Sequence, residues 1–74
     1  MAKNESETFT VVESDGGRST RLVRVVSVDD GETFTAWCVN GTDDHGRPFE
    51  FTFDYTDAEI RARRLYRAIT RRIA

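Results

Sequence analysis

Asp30-Gly31, set between two runs rich in Val, Thr and Phe, constrains this chain more than any other feature. A two-residue Asp-Gly loop is a type I′ turn whose twist matches that of antiparallel strands, so it joins two strands and dictates their pairing to the residue. Residues 20–29 and 32–40 are therefore read as a hairpin in which Asp29 faces Glu32 and opposed positions sum to 61. One face then collects Val23, Val25 and Ser27 with Phe34, Ala36 and Cys38. The other collects Leu22, Arg24, Val26 and Val28 with Thr33, Thr35, Trp37 and Val39, and sets Arg24 across from Trp37 as a cation–π pair. Both faces are apolar.

Two more strands are expected around the hairpin. Residues 8–13 form a β-branched and aromatic run that ends at Ser14-Asp15-Gly16-Gly17, where the glycines supply the positive φ of a turn. Residues 49–55 alternate apolar with polar as Phe-Glu-Phe-Thr-Phe-Asp-Tyr, the pattern of a strand buried on one side. Between the hairpin and that strand, residues 40–47 read as a longer loop. The polar stretch 1–7 shows no period and is expected to be a disordered tail, leaving residues 8–74 as one domain.

A helix follows. Thr56-Asp57-Ala58-Glu59 fits a capping box with Thr56 as N-cap, and Tyr55 with Ile60 would form the accompanying hydrophobic staple. Its apolar stripe is Ala58, Ala62, Leu65, Tyr66, Ile69 and Ile73, and opposite lie Arg63, Arg64, Arg67 and Arg71, with Arg61 and Arg72 on the flank. The expected fold is therefore α+β: a four-stranded antiparallel meander, ββββα in order, packed on a C-terminal amphipathic helix. The small Ala36 and Cys38 would admit a close helix, so their face is taken as the inner one. The expected core is Val25, Phe34, Phe49, Phe51, Phe53, Tyr55, Leu65 and Ile69.

One helix covers one side of such a sheet, so the Trp37 side must be filled either by curling toward a partial barrel or by another molecule. With 74 residues in all, little apolar surface can stay unused.

Charge is unevenly distributed along the chain. Residues 58–74 carry six Arg against Glu59, whereas residues 38–57 carry five acids against Arg47. Guanidinium groups along one helix face can contact successive phosphates, so Arg63, Arg64, Arg67 and Arg71, with Arg24 and a base-stacking Trp37, are read as a nucleic-acid-binding set. The alternative is a protein-interaction module, a homodimer or a small inhibitor, using Leu22, Val26, Trp37 and Val39 or the acidic segment 43–57.

Catalysis, cofactors and metals are not expected. The chain holds one Cys and one His: Cys38 lies mid-strand without a base, and His45 stands in the turn Asp43-Asp44-His45-Gly46, whose adjacent groups make no preorganised metal site. No apolar run approaches the ~20 residues of a membrane span, and the start MAKNESETF lacks a basic-then-apolar leader, which predicts a soluble cytoplasmic protein. The order of four strands and one amphipathic helix over residues 8–74 resembles that of the single-stranded-DNA-binding transcriptional coactivator domains. That resemblance implies dimerisation through the helix. It is one of element order and assigns no residue, since no motif is shared and the strands lack a lysine-rich surface.

Overall fold

The computed structural model describes residues 5–15 and 19–71. Four strands, β1 (Glu5–Asp15), β2 (Thr20–Asp29), β3 (Glu32–Thr42) and β4 (Pro48–Phe53), form one antiparallel sheet in the order β1-β2-β3-β4, and α1 (Ala58–Arg71) follows. The sheet is open, with β1 and β4 as its edges. This is the α+β meander-and-helix order expected from the sequence, without closure into a barrel.

The Asp30-Gly31 turn behaves as its chemistry requires. Both residues have positive φ, 53° and 83°, and the pairing of β2 with β3 runs from Asp29 opposite Glu32 through Arg24 opposite Trp37 to Arg21 opposite Asn40. β1 begins at Glu5 rather than at residue 8, pairing Glu5 with Asp29, so it runs to the far end of the hairpin. The rest of the expected tail, residues 1–4, and the turn glycines Gly16 and Gly17 lie outside the described residues.

The expected inside and outside of the sheet are exchanged. α1 packs on the face of Leu22, Trp37 and Val39, which form the buried core with Ala58, Ala62 and Tyr66. Val12, Phe49, Phe53, Leu65 and Ile69 pack against its margin. The reason lies in β4, where Phe53 pairs with Trp37, Phe51 with Val39 and Phe49 with Gly41. All three phenylalanines therefore share the Trp37 face, and that face carries the larger side chains. Close approach is supplied by the helix, whose Ala58 and Ala62 sit over the large sheet residues, rather than by Ala36 and Cys38 of the sheet. Gly41 completes the fit, since a Cβ there would stand 2.9 Å from Thr20 Cα and 3.1 Å from the Phe49 ring.

Of the expected core, Phe49, Phe53, Leu65 and Ile69 pack as foreseen, while Phe34, Phe51 and Tyr55 are exposed and Val25 is half-buried on the opposite face. A β-bulge between Val11 and Glu13 explains how β1 serves both faces. Before it, Phe9 and Val11 oppose Val25 and Val23; beyond it, Glu13 opposes Leu22 on the helix side. Val12, the inserted residue, reaches the core.

The helix starts one turn position later than the capping box predicts. The Arg61 N–H donates to the Asp57 carbonyl as the first i→i−4 bond, the Ala58 N–H donates to the Tyr55 carbonyl, and the Asp57 carboxylate accepts from Arg61 Nε at 2.7 Å. Tyr55 and Ile60 are both exposed, so the staple shields little. Fourteen residues give a rod of about 21 Å, whereas the molecule is 49 Å long. On the helix face beyond its reach, Thr8, Thr10, Thr33 and Thr35 are exposed and Val26 and Val28 half-buried.

Candidate interaction surface

The helix-free face of the sheet can be built row by row from the strand pairings. Phe9, Val25 and Ala36 form one row, Val11, Val23 and Cys38 the next, and Phe34 stands opposite Ser27 toward the hairpin end. Phe9 is 65% exposed, Phe34 55% and Val11 52%, while Val23 and Cys38 between them are buried at 6% and 4%. Exposed Phe9, Val11 and Phe34 thus share one face with a floor of Val23 and Cys38 that is closed to water. No described element of the chain covers that face.

Trp37, expected to be exposed, is 7% exposed beneath α1. The helix closes over it with Arg63, whose guanidinium lies 5.4 Å from the ring centroid. Arg63, not Arg24, is the cation on this indole. Leu22 and Val39 are fully buried in the same layer. The Trp37 platform for base stacking and the Leu22/Trp37/Val39 contact surface are therefore both corrected: the chain's own helix occupies that ground. Val26 is half-buried and Arg24 exposed on the same face, past the helix.

The arginines of α1 divide into two sets. Arg63 is turned toward the sheet edge and donates to Glu13 at 3.1 Å and Glu59 at 2.9 Å, so it is occupied in packing the helix. Arg61 is held by Asp57 at 2.7 Å. Arg64, Arg67 and Arg71 are exposed and make no ion pair among the described residues. At about 100° per residue they fall within roughly 60° of arc and about 10 Å of axis, a short cationic stripe facing water. Arg72 and Ile73 lie outside the described residues.

The acidic segment 43–57 is not one patch. Asp43 is engaged inside the β3–β4 loop, where its carboxylate accepts the backbone N–H groups of His45 at 2.8 Å and Arg47 at 2.9 Å. Those bonds, the Arg47 one foremost, hold its carboxyl below the usual range. Asp57 is likewise lowered by its bond from Arg61. Glu50 extends the helix-free face by its pairing with Asn40, and Asp54 borders a cleft with Ser27, Phe34 and Ala36. Cys38, on the floor of that face, accepts from Asn40 Nδ2 at 3.7 Å, and burial pushes its thiol up, away from the thiolate that a nucleophile needs. Among the described residues, no group of three or more His, Cys, Asp or Glu side chains is clustered to hold a metal ion, and no helix is long and apolar enough to cross a membrane.

Compared with known proteins, the chain matches no family model, no curated protein and no solved structure. Its surfaces must be read on their own chemistry. Phe9 and Val11 are the functional candidates that sequence reasoning missed. Their alternation with Thr8 and Thr10 was a usable signal, but only a register for β1 could place them beside Val25 and Val23.

Proposed function

We propose that this chain is a small non-catalytic binding module that receives a protein partner on the helix-free face of its sheet. One observation carries the reading: Phe9, Val11 and Phe34 are exposed on one face of the sheet, the face opposite the described helix. Water around such a patch is released on contact, at roughly 25 cal/mol for each Å² of apolar surface removed. The folded protein is expected to raise the fluorescence of the apolar dye ANS. The double variant Phe9→Ser/Phe34→Ser should lose that response while keeping its thermal midpoint. Absence of dye binding, or dye binding unchanged in the variant, contradicts the reading.

A second reading is favoured by a different observation. The exposed stripe Arg64, Arg67 and Arg71, without an ion pair among the described residues, suits a nucleic-acid backbone, which three guanidinium groups would bind without regard to sequence. At most about three phosphates are engaged, so affinity for a duplex oligonucleotide should fall with a log–log salt slope no steeper than about −3. Arg67→Glu/Arg71→Glu should abolish binding. No binding at low salt ends this second reading.

A further inference from the structure

We propose that the partner element received by the helix-free face is a basic amphipathic helix of another protein. The inference rests on that face being a docking surface and goes on to name what docks.

Charge around the patch selects the occupant. By strand pairing, Glu7 stands on the β1 side, Asp29 and Glu32 at the hairpin end, and Glu50 on the β4 side, while Asp54 borders the cleft beside Phe34. Arg21, opposite Asn40, is the one base among the described residues of this face. Five carboxylates thus frame an apolar centre. A second copy laid face to face would set one acidic frame against another, which is costly when water is excluded. A neutral apolar segment would leave the frame unanswered.

The other face of the same sheet shows the complementary solution already in place. There a helix buries Ala58, Ala62 and Tyr66, and its flanking Arg63 reaches Glu13 of the β1 edge at 3.1 Å. The open face repeats those terms: an apolar floor, acidic margins, and a width of four strands at about 4.8 Å spacing, enough to seat one helix about 10 Å across. The occupant therefore carries an apolar stripe for Phe9, Val25 and Phe34, with Lys or Arg beside it for Glu7 and Asp54.

The probe is a synthetic helix of about 18 residues, roughly 27 Å, with Leu on one side and Lys on the other. Its controls are a Leu/Glu peptide and a Ser/Lys peptide, each titrated into the 15N-labelled full chain. The Leu/Lys peptide is expected to shift the amides of Val23, Val25, Phe34 and Ala36 and to leave those of Ala62 to Ile69 in place. Phe9→Ser/Phe34→Ser should weaken it by about tenfold or more, and Glu7→Lys/Asp54→Lys by several-fold, both with unchanged thermal midpoints. Equal binding of the Leu/Glu peptide overturns the inference and leaves the docking face standing. So does concentration-dependent self-association that Phe34→Asp removes, because a second copy is then the occupant. Equal binding of the Ser/Lys peptide, or no perturbation of this face by any peptide or copy, overturns both the inference and the docking face.

Discussion

Both faces of this sheet carry apolar side chains, yet Trp37 on one is sealed beneath a helix while Phe9 and Phe34 on the other stand in water. Trp37 is 7% exposed and Phe34, three positions earlier on the same strand, 55%. Burial here follows the company a residue keeps on neighbouring strands. Trp37 gains Phe53, Phe51 and Phe49 from β4, whereas the face of Phe34 gains Thr52 and Glu50. The helix settles where the larger apolar area lies, because that is where most surface leaves water.

Leu22→Ala should cost about 2–5 kcal/mol, lowering the thermal midpoint by more than about 10 °C, while Phe34→Ser should stay within about 0.5 kcal/mol. Calorimetry on the two variants decides it. If the order is reversed, the faces have been wrongly assigned. Next comes Gly41→Ala, where the new methyl meets the Thr20 backbone at 2.9 Å, giving an expected loss of about 1–3 kcal/mol by urea unfolding. A neutral result would mean that β3 and β4 are less tightly seated than the packing implies.

Among the arginines, Arg63→Ala should cost about 1 kcal/mol, from its stacking on Trp37 and its bonds to Glu13 and Glu59, and should change the Trp37 emission. Arg67→Ala should move stability by less than about 0.5 kcal/mol. Equal effects would erase the division of the helix into a packing set and a free set.

The smallest effect concerns acid. Asp43 and Asp57 both have carboxyls lowered in the folded state, so their contribution is present above the unfolded value and is lost as pH falls through the folded one, below about pH 4. Asp43→Asn should remove part of the acid-side decline in thermal midpoint between about pH 5 and pH 2.5. The variant leaving that decline intact would show that the β3–β4 loop bonds do not matter to stability. Asp43 is exposed and Asp57 partly so, and the effect should be small.

Much of the fold was legible in the residues. Asp30-Gly31 gave the β2–β3 pairing without error, since a two-residue loop leaves the register no freedom. The helix and its stripe Ala58, Ala62, Leu65, Tyr66 and Ile69 followed from period alone. The candidate surface was legible only in part. The layer count gave one face to the helix and left the other without it, but it put Trp37 on the side without the helix. The five-residue loop from Asp43 to Arg47 does not prescribe the parity of β4 against β3, and that parity decides which face receives the three phenylalanines. Likewise, the bulge at Val12 is not visible in a run of β-branched residues, so Glu13 could not be foreseen as the partner of Arg63.

By itself the sequence determined the elements, their order and the one register that a tight turn enforces, because these depend on backbone preferences and on spacing within a few residues. Which face the helix covers, which arginine it spends on the indole and which phenylalanines stay in water were decided only by tertiary structure. Those outcomes compare the total area buried by alternative packings, a sum over residues far apart in the chain that no local pattern contains.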